Sequence, residues 1–211
     1  MIPQFPVYLF DIDGTLLDSA QDICGAVQQV IANNGGPPQT FEFLRSFIGF
    51  HLKPCFAAVF PSYNPDQIED LVEQYRQTYR ARGHKMTHVF PGVAEGLAAL
   101  GGRKSTATTK GTPTTRLVLE TFGLIQYFEH VQGTDGFPCK PEPNVIFTAL
   151  AAMGARPEDC MMVGDSTADI EAGKAAGVVT CAVRWGYGDR QAMERLRPDY
   201  WIENLSQLAG Q

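Results

Sequence analysis

Apolar positions fall along the chain in two rhythms. Val7–Phe10, Cys160–Val163 and Val179–Val183 are short, nearly continuous apolar runs, the form of strands buried on both faces. Ser105–Thr108, Glu129–Gln132 and Tyr200–Ile202 complete the set of predicted strands. Between them lie segments with helix-start signals: Pro91 opens one, Thr112 and Pro113 another, and Glu142–Met153 and Ala168–Ala176 follow. Strands alternating with helices of this length predict an α/β fold, a Rossmann-like parallel sheet covered on both faces.

The alternation fails between residues 18 and 86. Ile23, Val27, Val30 and Ile31 mark one amphipathic helix, which the run Asn33-Asn34-Gly35-Gly36-Pro37-Pro38 stops. Asn64 as cap and Pro65 at the first helical position begin a second, whose apolar face is Ile68, Leu71, Val72, Tyr75 and Tyr79. The pattern therefore predicts an α/β catalytic core of residues 1–17 and 87–211, with a helical cap domain, 18–86, inserted into it. Inserting a cap also accounts for a length of 211 residues, awkward for a single domain of roughly 150.

Charge and cysteine content narrow the partners. The formal net charge is −6, so nucleic acid and anionic membrane surfaces are not expected. No apolar stretch approaches the roughly 20 residues of a membrane span, and Met1–Phe10 has no basic residue of the kind that begins a secretory leader. Five cysteines without a CxxC pair suggest reduced thiols in a core and a cytoplasmic location. His84 and His88 read as surface residues.

Candidate chemistry gathers where predicted strands end, which is where open parallel sheets bind ligands. In Asp11-Ile12-Asp13-Gly14-Thr15, residues two apart share a face, so both carboxylates can enter one pocket. Such a pair needs a cation or a shared proton. A calcium loop of the EF-hand type would have Gly and Glu where Leu16 and Asp22 stand. Asp165, in Gly164-Asp165-Ser166-Thr167-Ala168-Asp169, can complete an oxygen-rich site with Asp11 and the backbone carbonyl of Asp13, a set suited to Mg²⁺. Asp169 lies one helical turn further on, placed to orient metal-bound waters or a lysine, while Ser166 can cap the helix. Lys140 precedes Pro141-Glu142-Pro143, and Thr108-Thr109-Lys110-Gly111 offers hydroxyl and amide donors to an anion.

The joint order of acidic pair, hydroxyl, lysine and acidic pair resembles the haloacid dehalogenase superfamily. The 18–86 insert is similar to the helical cap of its phosphoglycolate phosphatase-like branch. Phe90-Pro91-Gly92-Val93, Ala175-Ala176-Gly177 and Trp185-Gly186-Tyr187-Gly188 also resemble that branch. The resemblance implies a Mg²⁺-dependent phosphatase that hydrolyses a small phosphomonoester through an aspartyl-phosphate. Asp11 would be the nucleophile and Asp13 the acid and base. Thr108, Lys140, Gly14 and Thr109 would hold the phosphate, with Asp11, Asp13 and Asp165 around the metal and Asp169 and Ser166 behind them. Arg45 and Lys53, with His51, would read the rest of the substrate from the cap, 2-phosphoglycolate being one such ester. The dehalogenases resembling this fold lack an acid at the position of Asp13, and the sugar phosphate mutases carry a His where this chain runs Ser19-Ala20-Gln21-Asp22-Ile23. A phosphorylation-controlled binding protein and a catalytically idle relative are the other readings. Thr109 stands where the branch usually has Asn, and the strand Lys104-Ser105-Thr106-Ala107 is more polar than its counterparts.

Overall fold

The computed structural model describes residues 2–210, which divide into two compact units. One takes in the chain up to Asp18 and again from His88 onward; the other is Ser19–Thr87. The first unit is built on a parallel sheet of β1 (Val7–Phe10), β4 (Arg103–Thr106), β5 (Cys160–Gly164), β6 (Val179–Val183) and β7 (Tyr200–Ile202), in the order β4-β1-β5-β6-β7. Two short strands, β2 (Leu17–Asp18) and β3 (His88–Val89), pair antiparallel where the chain leaves for the second unit and where it returns.

Side chains alternate across the sheet as the apolar runs require. Tyr8, Phe10, Met161, Val163, Cys181 and Val183 pack on one face with Val93 and Leu97 of α5 (Val93–Ala99) and Val118 and Leu119 of α6 (Thr112–Thr121). Val7, Leu9, Cys160 and Met162 pack on the other with α7 (Asn144–Met153) and α8 (Thr167–Ala176). A last helix, α9 (Arg190–Leu196), covers Ala182 through Met193. The fold is thus the α/β, Rossmann-like sheet that the alternation predicts.

Three local expectations need correction. Glu129–Gln132 is not a strand: the Thr106 hydroxyl donates to Gln132 O and accepts from Gln132 N, both at 2.8 Å, in place of a backbone ladder. The strand expected at Ser105–Thr108 is Arg103–Thr106, an edge strand. Its Lys104 folds back so that Nζ bonds the carbonyls of Leu100 and Gly102, which is how so polar a sequence is accommodated. α7 begins at Asn144 rather than Glu142, because a residue preceding proline, as Glu142 does, is held out of the helical conformation.

The second unit contains α1 (Ala20–Asn33), α2 (Phe41–Arg45), α3 (Lys53–Val59) and α4 (Pro65–Arg82). Asn64 and Gln67 form the reciprocal cap that starts α4. Asp22 on α1 accepts from the Met86 amide and the Thr87 hydroxyl and lies 3.4 Å from Arg82, fastening the far end of α4. His84 is not a surface residue but is buried, edge-on to Tyr79, whereas the His88 side chain is 63% exposed. Four of the five free cysteines are buried, as core thiols should be. No helix among the described residues is long and apolar enough to cross a membrane.

Candidate active site

β1 ends at Phe10, and Asp11 is still tethered to the sheet by its amide, which donates to Val163 O at 3.0 Å. The chain can turn immediately afterwards because Gly14 adopts φ = +90°, a conformation strained for any residue with a Cβ. A Cβ at Gly14 would also lie 2.3 Å from Asp165 Oδ2. Ile12 goes into the core. Leu16 and Leu17 return their amides to the Ile12 carbonyl, closing a compact loop that leaves Asp11 and Asp13 beside one another.

Each acid has its own cation. Lys140 Nζ is 3.0 Å from Asp11 Oδ1 and 2.5 Å from Asp169 Oδ1, and all three side chains are inaccessible or nearly so. Lys110 Nζ is 3.1 Å from Asp13 Oδ2. Thr108, just beyond β4, is buried; its hydroxyl accepts from the Lys110 amide at 3.4 Å. Thr109 follows it half-buried. Ser166 caps α8: its hydroxyl and amide both donate to Asp169 Oδ2, and it accepts from the Asp169 amide. That cap is also what fixes Asp169 against Lys140.

Asp165, at the end of β5, is held from two sides. The Thr15 hydroxyl donates to Oδ1 at 3.0 Å and the Tyr187 amide to Oδ2 at 2.8 Å. Burial is the main force on the acids here. It pushes Asp165 up to about 8, with Asp169 and Asp11 adding to the rise. Asp11 is also raised, by burial first and by the neighbouring acids, against the opposing pull of Lys140. Burial opposes the charge on Lys140, but Asp11 and Asp169 together outweigh it and hold its pKa above the usual lysine range.

These groups fit a divalent cation. Asp11, Asp165 and Asp169 each bring one carboxylate oxygen within 4.8 Å of the others. With all three ionised, the carboxylates would outnumber the single ammonium of Lys140 in a buried space, a state that only a bound cation or a retained proton relieves. Asp11 Oδ2 is buried and accepts no hydrogen bond. An all-oxygen donor set suits a hard ion. The carboxylate of Asp13 turns to Lys110 instead, leaving its backbone carbonyl as the group it can offer a metal.

The sequence profile of haloacid dehalogenase-like hydrolases matches residues 8–183. The chain belongs to that family. It is 32% identical over 210 residues to a phosphoglycolate phosphatase of Vibrio vulnificus, covering 94% of this chain and 92% of the relative. Phosphoglycolate phosphatase 1 of Pseudomonas aeruginosa is 33% identical, covering 95% and 77%. Among solved structures, a haloacid dehalogenase-like hydrolase of Streptococcus pneumoniae superposes with a TM-score of 0.88 at 26% identity, covering 98% of this chain and 97% of that one. As a haloacid dehalogenase-like hydrolase of the phosphoglycolate phosphatase-like branch, the protein is a phosphatase, and a phosphatase takes a phosphorylated substrate.

Asp11, Asp13, Thr108, Lys140, Asp165, Ser166 and Asp169 all lie in the sheet-bearing unit: Lys140 in the loop that precedes α7, the others just beyond the carboxyl ends of β1, β4 and β5 or at the start of α8. Arg45 and Lys53 lie in the other unit. Arg45 is exposed at the end of α2, while Lys53 at the start of α3 is ion-paired with Glu69 at 2.6 Å. Five contributors escaped the sequence: the Thr15 hydroxyl, the ammonium of Lys110, the Tyr187 amide, and the two glycines beside it, Gly186 and Gly188. A Cβ at Gly186 would meet Asp165 Cβ at 2.2 Å, and one at Gly188 the Asp165 carbonyl at 2.0 Å. The only sequence trace of this contact is the alternation of aromatic and Gly in Trp185-Gly186-Tyr187-Gly188.

Proposed function

We propose that this phosphatase hydrolyses a small anionic phosphomonoester, of which 2-phosphoglycolate is the leading candidate, through an aspartyl-phosphate on Asp11 with Mg²⁺ in the carboxylate cluster. The observation that carries the reading is the asymmetry of Asp11: one oxygen is fixed by Lys140, and the other is buried with no hydrogen bond. Such a carboxylate is oriented but not satisfied.

Asp11 would attack phosphorus in line, forming an Asp11–phosphorus bond as the ester bond breaks, and Asp13 would give its proton to the leaving alkoxide. A water then attacks phosphorus, Asp13 takes its proton, and Asp11 is released with inorganic phosphate. Lys110, 3.1 Å from Asp13 Oδ2, would orient that carboxylate. Thr108, Lys140 and the amides about Gly14 would hold the equatorial oxygens, the electrostatic contribution on which phosphoryl transfer depends. Asp11, Asp165 and the Asp13 carbonyl would hold Mg²⁺, which when bound supplies positive charge to the phosphoryl oxygens. Ser166 and Asp169 keep Lys140 in place. Arg45, which makes no salt bridge among the described residues, is the preferred reader of the substrate's carboxylate over the engaged Lys53.

A phosphate-release assay over a panel of esters with and without Mg²⁺ tests this. Activity is expected only with the metal, highest on 2-phosphoglycolate, and lost in Asp11→Asn. Arg45→Ala should raise KM for 2-phosphoglycolate about tenfold while leaving p-nitrophenyl phosphate nearly unchanged. Full activity in Asp11→Asn would refute the mechanism, and indifference of Arg45→Ala to the ester would refute the assigned reader.

A further inference from the structure

The run Trp185-Gly186-Tyr187-Gly188 takes no part in the chemistry above, yet it bears on the carboxylate cluster from outside. The Tyr187 amide is one of two donors to Asp165. An amide can come so close only because Gly186 and Gly188 on either side have no side chain: a Cβ at either position would overlap Asp165. Backbone packed against a carboxylate in this way must be pressed into position, and two side-chain bonds do so. Trp185 Nε1 donates to Thr15 O at 3.0 Å, and Tyr187 Oη donates to Asp18 Oδ1 at 2.6 Å.

Tyr187 therefore touches two places at once. Its amide holds Asp165, and its phenol holds Asp18, the last residue of β2, whose other carboxylate oxygen lies 3.4 Å from His88 Nε2 on β3. Its ring packs with Phe90, centroids 6.3 Å apart, as does the ring of Trp185 at 6.5 Å. Ring packing supports the loop laterally, but the phenol bond fixes how far the loop advances toward Asp165.

We propose that Tyr187 is a positioning residue for Asp165, and that its bond to Asp18 sets the affinity of the carboxylate cluster for Mg²⁺. This rests on the metal-dependent reading given above. Groups behind a metal ligand act by orienting it, so their loss weakens metal binding more than it alters the chemistry once metal is bound.

The test titrates the full chain with Mg²⁺ alone, without substrate, following its melting temperature, and separately follows the Mg²⁺ dependence of p-nitrophenyl phosphate hydrolysis. Tyr187→Phe keeps the ring and the amide and removes only the hydroxyl. Half-saturating Mg²⁺ is expected to rise about 5- to 10-fold in both measurements, with kcat at saturating metal within about twofold of the parent and KM for the ester unchanged. Asp18→Ala should do the same, Asp18→Asn should restore parental behaviour because it keeps an acceptor oxygen, and Tyr187→Phe with Asp18→Ala should be no worse than either alone. Tyr187→Phe that lowers the melting temperature in a chelator but leaves half-saturating Mg²⁺ unchanged would overturn the inference, as would an Asp18→Asn as damaging as Asp18→Ala. A parent protein whose melting ignores Mg²⁺ would overturn the metal-dependent reading and this inference together.

Discussion

Lys140 shows how one buried side chain can organise a site. Its ammonium is shared between Asp11 and Asp169, so one positive charge orients Asp11 and is itself oriented by the helix cap. Removing one member of such a buried group leaves the others uncompensated, typically at about 3–5 kcal/mol. Lys140→Met is therefore expected to lose activity altogether and to unfold at markedly lower denaturant, by a shift corresponding to that range. An unaltered unfolding midpoint would show that the pair contributes nothing to the fold. At this scale the sequence was readable where chemistry is concentrated in neighbours, as in Asp11-Ile12-Asp13 or Gly164-Asp165. It was unreadable where partners are remote. Trp185 and Thr15 are 170 residues apart, and Lys110 pairs with Asp13 across two strand ends, so nothing local announces either contact.

Among the elements, α8 has the most direct tie to the site. Ser166 would have been placed at its start by capping rules alone, but the cap partner is Asp169, which also meets Lys140. Ser166→Ala is expected to cost about 1 kcal/mol of stability as a lost cap, and, unlike an ordinary cap deletion, to lower kcat several-fold. Urea unfolding and initial rates separate the two effects; a stability loss with unchanged kcat would make Ser166 a cap and no more. Elements were legible in proportion to their apolar content. β1, β5 and β6 are continuous apolar runs buried on both faces, and α1 and α4 carry a clear stripe and clear stops. β2 and β3 are two residues each, too short for any periodicity. The misplaced edge strand and the absent strand at Glu129–Gln132 share one cause, because Lys104 and Thr106 satisfy backbone groups with their side chains, and side-chain substitution of a ladder leaves no pattern to read.

For the molecule as a whole, the raised acids link stability to pH and metal. Asp165 and Asp11 are pushed above the ordinary carboxylate range chiefly by burial, so the metal-free folded chain holds protons that the unfolded chain releases. Their contribution is present in full below about pH 4 and is lost as pH rises through the folded values, up to about 8 for Asp165. With a chelator, the melting temperature is expected to fall between about pH 5 and pH 8 from this source, and saturating Mg²⁺ should stabilise more at the upper end, where no proton competes for the carboxylates. Parallel melting curves with and without Mg²⁺ across that range would contradict the linkage. The β2–β3 pair has a consequence of a different kind. Asp18 and His88 face each other as ladder partners, so Ser19–Thr87 leaves and rejoins the sheet-bearing unit at adjacent points, as the loop of a hairpin does. The entropy of closing a loop grows only slowly with its length, and the two apolar clusters that sandwich the sheet draw no residue from that segment. A descendant could lengthen, shorten or replace it while inheriting Asp11, Lys140, Asp165 and Asp169 unchanged, so that a single hairpin is a point at which the chain can accept a graft.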